Sequence, residues 1–142
     1  MYMKVKQVSV FLENRAGRLA NIVSNLGDSG ISIRAISLAD TSNFGILRLI
    51  VDNTDSAVRL LKDRGFTVRV TDVIAVRVDD KPGALGKILQ IIENAGLNLE
   101  YIYGLSDHLK DSAILIMRFD DMDKGIPELQ NHAVECLSHD CL

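Results

Sequence analysis

Two stretches of this chain spell the same local pattern 66 positions apart: "ENRAGRLANIVSNLGDSGIS" over residues 13–32 and "DDKPGALGKILQIIENAGLN" over residues 79–98. In that register Gly17 falls on Gly83, Leu19 on Leu85, Ile22 on Ile88 and Gly30 on Gly96. A period this long, filling half of a 142-residue chain, reads as a duplicated domain and not as a solenoid unit. Each half must therefore close a small core of its own.

Upstream of each glycine turn, Val8, Val10 and Leu12 fall on Ile74, Val76 and Val78. Their alternation with more polar positions predicts a strand with one buried face. Downstream, Leu19, Ile22, Val23 and Leu26 stand at i, i+3, i+4 and i+7, and Leu85, Ile88, Leu89 and Ile92 repeat that spacing, which marks one helical face. Burying each such side chain is worth about 1.5 to 3 kcal/mol, so packing on a sheet is the main reason for these helices to form. Gly30 and Gly96 are placed to end them in left-handed caps.

"ISIRAISLAD" and "LNLEYIYGLS" come next, followed by "ILRLIV" and "ILIMRF", which read as two strands joined by a polar loop. From there the offset grows to 68, which makes the second loop, around "DHLKDS", two residues longer. Asp55 then falls on Asp123, Val58 on Ile126 and Leu61 on Leu129. Each Asp suits the N-cap of a second helix, with Pro127 in the first turn, where proline is tolerated. Final strands fit "FTVRV" and "VECLS". The expected fold is α+β: two tandem ferredoxin-like β-α-β-β-α-β domains, antiparallel sheets with helices on one face, over residues 1–71 and 72–142.

The glycine turn lies where backbone N–H groups at the start of a helix have no intrahelical partner. Such a turn can receive a carboxylate or phosphate oxygen, aided by close backbone approach and the helix dipole. A glycine there is also explained by its φ angle alone. Spacing leaves both readings open.

The stretch "DDKPGALGKILQIIENAGLNL" closely resembles the signature of the ACT domain, a regulatory module that typically binds free amino acids, and "ENRAGRLANIVSNLGDSGISI" is a looser match. The resemblance covers nearly the whole chain as two modules. It implies a ligand held between the strand-to-helix loop of one module and the second strand of its neighbour. Carried over, the loop residues are Asp80, Lys81, Pro82, Gly83, Ala84 and Leu85, with Asn98 and Leu99 facing them. The first-repeat set is Asn14, Arg15, Ala16, Gly17, Arg18 and Leu19, with Ser32 and Ile33. Ala16 stands where the second repeat has Pro82, and Ser32 where it has Asn98, so the first site is expected to be weaker, differently selective or structural. The resemblance further implies a non-catalytic, cofactor-free regulatory protein and pairing of modules side by side, which protects edge strands and points to a homodimer. A regulatory subunit like that of acetolactate synthase, pairing without a ligand of its own, is the alternative role.

Other classes fare worse. A net charge of -3 and few aromatic residues disfavour nucleic acid, since "ILRLIV" lacks the stacking rings of RNA-recognition sheets. No apolar run has the length of a signal peptide or membrane span, so a cytoplasmic protein with no membrane partner is expected. No nucleophile and base are readable as a catalytic pair. Small acyl-phosphate hydrolases share the expected topology, but Arg15 in a single loop lacks their extended glycine-rich pattern. His132, Cys136, His139 and Cys141 are capable metal ligands, yet their spacing matches no common zinc pattern. The cysteines are expected to be reduced, because a bridge between Cys136 and Cys141 would close a very short loop.

Overall fold

The protein is described by a computed structural model covering residues 4–13, 15–40, 43–107 and 112–142. The elements run β1 (Lys4–Glu13), α1 (Arg18–Asp28), β2 (Ile33–Asp40), β3 (Phe44–Val51), α2 (Thr54–Asp63), β4 (Thr67–Asp79), α3 (Ala84–Asn94), β5 (Leu99–Asp107), β6 (Ser112–Phe119), α4 (Met122–Asn131) and β7 (Glu135–Leu137), closed by a 3-10 turn at His139–Cys141. The chain divides into a first compact unit, Lys6–Thr71, and a second, Asp72–Leu142, which also takes in residues 4 and 5. Both have the ferredoxin-like α+β design. Residues 67–70 of "FTVRV" and the strand after it form one unbroken β4 of 13 residues, with Phe66 just ahead of it.

In the first unit β3 lies between β1 and β2, antiparallel to both, with Val10 opposite Leu47 and Leu38 opposite Leu47 from the other side. Val8, Val10, Leu12, Leu47 and Leu49 present one face, and α1 and α2 seat Ile22, Leu26, Ala57 and Leu61 on it. The second unit repeats this: β6 between β4 and β5, β7 on the far side of β4, and Ile88, Ile92, Ile126 and Leu129 packed on Ile74, Val76, Met117 and Phe119. Burial of these alternating and i, i+4 sets holds each helix pair to its sheet.

The local details depart from the sequence expectation at three places. The second helices are capped by Asn53 and Asp121, not by Asp55 and Asp123: Asn53 Oδ1 accepts from Ser56 N at 3.1 Å and Asp121 Oδ1 from Lys124 N at 3.1 Å. A cap oxygen has to reach the N–H three residues on, so it belongs just before the helix, and the two aspartates instead place negative charge in the first turn. Pro127 lies past that first turn, inside α4. On α3, Leu85 and Leu89 remain 39% and 37% exposed, because the buried arc turns toward Ala84, Ile91 and Ala95, which join the core from the other side of Ile88.

Both α1 and α3 run into left-handed glycines as the sequence predicts, Gly30 at φ 76 and Gly96 at φ 72. The second helices end in the same way, at Gly65 with φ 86 and at Ala133 with φ 60. Phe66 N donates to Leu61 O at 3.0 Å, and Val134 N to Leu129 O at 3.0 Å, so an alanine does in the second unit what a glycine does in the first. Holding a Cβ in this region costs about 1 to 2 kcal/mol, whereas glycine costs about 0.5 to 1 kcal/mol in chain entropy. Ala133→Gly is accordingly expected to stabilise the protein by about 0.5 to 1 kcal/mol, read as a raised urea midpoint with unchanged slope.

Candidate functional site

The two glycine turns are built bond for bond alike. In the second, Lys81 N donates to Asp79 O at 2.9 Å, Ala84 N to Lys81 O at 3.3 Å and Lys87 N to Gly83 O at 3.2 Å. In the first, Arg15 N donates to Glu13 O at 2.8 Å, Arg18 N to Arg15 O at 3.3 Å and Asn21 N to Gly17 O at 3.0 Å. Gly17 and Gly83 are the N-cap residues, at φ 86 and φ 88. Ala16 in place of Pro82 leaves the turn unchanged, so the hydrogen bonds and the positive φ, not the proline ring, set its shape. Asn14 lies outside the described residues.

These helix starts differ from the other two in the same chain. The helices α2 and α4 each have a side-chain cap and an acidic first turn. By contrast, α1 and α3 have neither a capping side chain nor an acidic residue in the first turn. Beyond Arg18 N and Ala84 N, which are bonded back into their turns, the leading N–H groups of α1 and α3 are therefore left to whatever approaches the turn. The surrounding charges are mixed: Arg15 lies 3.1 Å and Arg18 3.8 Å from Glu13, and Lys81 lies 3.6 Å from Asp79. All five side chains are substantially exposed, so the pairs are weak and rearrange readily.

A cleft opens beside each turn. In the first unit it measures about 260 Å3 and is walled by Phe11, Phe44 and Phe66. In the second it measures about 500 Å3, between Lys81, Pro82 and Ala84 of the turn and residues 132–135, which lead from α4 into β7.

Ser32 and Asn98 occupy the opposite end of each sheet from the turn of their own unit. Phe44, opposite Glu13, and Val51, opposite Ile33, are seven residues apart on β3, which is roughly 20 Å at strand rise. Ser112, opposite Asp79, and Phe119, opposite Leu99, repeat the separation on β6. The structure thus brings together Arg15 to Leu19, and Asp80 to Leu85, but within one unit it does not bring Ser32, Ile33, Asn98 or Leu99 to them.

What holds Ser32 and Asn98 are two aspartates that are not among the sequence-derived candidates. Asp52 accepts from Ser32 N at 3.0 Å and donates its own N–H to Ser32 O at 3.1 Å. Asp120 makes the same reciprocal pair with Asn98, both bonds at 3.0 Å, and also accepts from Asp121 N at 3.0 Å. A signal is present in the chain, since Asp52 falls on Asp120 at the 68-residue offset. Asp120→Ala is expected to lower stability by about 1 to 2 kcal/mol by stripping two backbone donors of their acceptor, with Asp120→Asn milder because an amide oxygen still accepts. Urea unfolding of the two variants separates these outcomes.

Tyr101 and Tyr103 stack on each other, centroids 6.5 Å apart at 20°. Cys136 and Cys141 are free. Burial pushes the Cys136 thiol up to about 11, which keeps it protonated at neutral pH and a poor metal ligand. Among the described residues no three His, Cys, Asp or Glu side chains gather as a metal site, and no helix is long and apolar enough to cross a membrane.

A family model described as an ACT domain pair matches residues 3–137. The chain belongs to that family. A solved protein from Bacteroides thetaiotaomicron shares 37% identity with this ACT domain pair, covering 96% of this chain and 94% of the other at a TM-score of 0.91. The ligand-free regulatory subunit of aspartate kinase from Thermus thermophilus matches at 15% identity, TM-score 0.67, over 91% and 93% of the two chains. Its counterpart from Thermus flavus matches at 16% identity, TM-score 0.65, over 92% and 93%. At those identities the kinase subunits show the shared fold. No curated protein matches the ACT pair.

Proposed function

We propose that this ACT domain pair is a non-catalytic regulatory protein that binds a free amino acid at its glycine turns. The observation that carries the reading is internal: α1 and α3 begin on left-handed glycines without cap or acidic first turn, while α2 and α4, in the same chain, have both. An amino-acid carboxylate fits those N–H groups and the positive end of the helix. Asn98, Ser32 and their neighbours Leu99 and Ile33 lie too far from the turn of their own module to close the same pocket, so they serve a turn that comes from another module. A homodimer supplies such a turn, and the ligand then biases how the modules pair. The Thermus thermophilus relative, a regulatory subunit of aspartate kinase, supports a regulatory role in which the output belongs to a partner enzyme.

Thermal unfolding of the purified protein against each free amino acid tests this. One amino acid, or a related few, is expected to stabilise the protein by about 2.7 kcal/mol when present at 100 times its dissociation constant. A flat panel would leave the turns with a purely structural task and favour the pairing role without ligand.

A further inference from the structure

The two modules share one turn but not one wall. In the first, three of the chain's four phenylalanines line the cleft beside the Gly17 turn. Phe11 and Glu13 stand two apart on β1, and Phe44 lies opposite Glu13 on β3, so these three side chains share the sheet face that points away from Leu12 and the helices. Phe66 joins them from the connection between α2 and β4. In the second module the matching positions hold Arg77, Ser112 and Val134, and the same strands, helices and glycine turn form around them.

The fold therefore does not need these rings. Phe44 is 58% exposed and Phe11 39%, so much of their apolar surface stays in water, which marks a place where something else is received. The cleft measures about 260 Å3, just under the roughly 300 to 1,000 Å3 of drug-sized ligand sites, a scale that suits one amino acid. At its mouth Glu13 is held only by exposed pairs, 3.1 Å from Arg15 and 3.8 Å from Arg18, which yield readily to an incoming ammonium group. Arg64 is engaged elsewhere, donating to Asn25 Oδ1 at 2.9 Å.

We propose that the site of the first module selects an aromatic amino acid of the phenylalanine type. The carboxylate takes the N–H groups of α1 that follow Arg18, the ammonium meets Glu13, and the ring lies against Phe11, Phe44 and Phe66. The proposal rests on the amino-acid reading and adds its side-chain selectivity. Aromatic rings in offset or edge-to-face contact gain more than the area they bury, by about twofold to tenfold in affinity for each pair. The second turn presents the same kind of helix start without a phenyl ring beside it, so it lacks this preference.

Calorimetric titration of the full chain with phenylalanine tests it. Phenylalanine is expected to bind, and Gly17→Val should abolish that binding. Phe11→Leu combined with Phe44→Leu keeps an apolar wall but removes two rings, and should weaken phenylalanine about tenfold. Both positions are exposed strand sites, so the unliganded variant should unfold near the wild-type temperature, which separates lost contacts from lost structure. Phenylalanine binding that survives Gly17→Val overturns the proposal, as does an unchanged affinity in the leucine pair. If phenylalanine is silent while another amino acid binds, the aromatic selectivity falls and the amino-acid reading stands. If every free amino acid is silent, that reading falls and takes this one with it.

Discussion

Gly125→Ala is expected to destabilise the second unit by about 1 to 3 kcal/mol, although the same change on an exposed helix would stabilise by about 1 kcal/mol. Gly125 is buried in α4, and an added Cβ would stand 2.8 Å from Cε2 of Phe119 and 3.3 Å from its Cγ, with Cδ2 closer still. Phe119 is fully buried and packed on all sides, so its ring has nowhere to yield. The first unit solves the same packing differently. Val51 occupies the position of Phe119, and Ala57, also fully buried, that of Gly125. A larger strand residue goes with a smaller helix residue, which keeps the summed volume nearly constant. Phe119→Val alone should cost about 2 kcal/mol or more by leaving a cavity. The double variant, which recreates the Val and Ala combination of the first unit, should be less destabilised than the sum of the singles by about 1 kcal/mol or more, because the two residues touch. Urea unfolding of the three proteins decides this, and strict additivity would mean that the compensation is not real.

That pairing illustrates what the chain makes legible and what it does not. Strand faces and helix stripes are readable because burial follows period 2 and period 3.6, and Val8, Val10, Ile22, Leu26, Ile74, Val76, Ile88 and Ile92 are all buried where the periodicity puts them. Glycine turns are readable because positive φ leaves few alternatives to glycine, though Ala133 shows that the rule is a preference, broken at a cost in strain. The caps fall two residues from their expected places because "DNTD" and "DDMD" each offer several oxygens of the right chemistry, and only the geometry of the first turn selects among them. Leu85 and Leu89 escape the core because a helical stripe can rotate on its sheet when Ala84, Ile91 and Ala95 offer an apolar surface on the other side. Asp52 and Asp120 are hidden for a different reason. They act on the backbone of a residue about twenty positions away, and no local pattern announces it.

Gly83→Val carries the largest expected effect on binding. An added Cβ meets no atom within 4 Å, so crowding inside the protein is not the mechanism. The conflict is with the backbone: φ 88 is a conformation that a β-branched residue rarely adopts, at about 1 to 2 kcal/mol or more, and the turn relieves it by rotating. Rotation redirects the N–H groups that open α3, while the helix and its core contacts through Ile88 and Ile92 persist. The variant should therefore stay folded, with a modestly lower unfolding temperature, and lose the stabilisation of about 2.7 kcal/mol that the wild type gains from its amino acid at 100 times the dissociation constant. Gly17→Val applies the same strain to the first turn at φ 86, likewise with no neighbour within 4 Å, so the two variants can be compared directly. Loss of the ligand response in Gly83→Val alone assigns the amino acid to the second module, and loss in Gly17→Val alone assigns it to the first. A full response in both variants would show that neither turn touches the ligand, because no arrangement of the leading amides survives both substitutions unchanged.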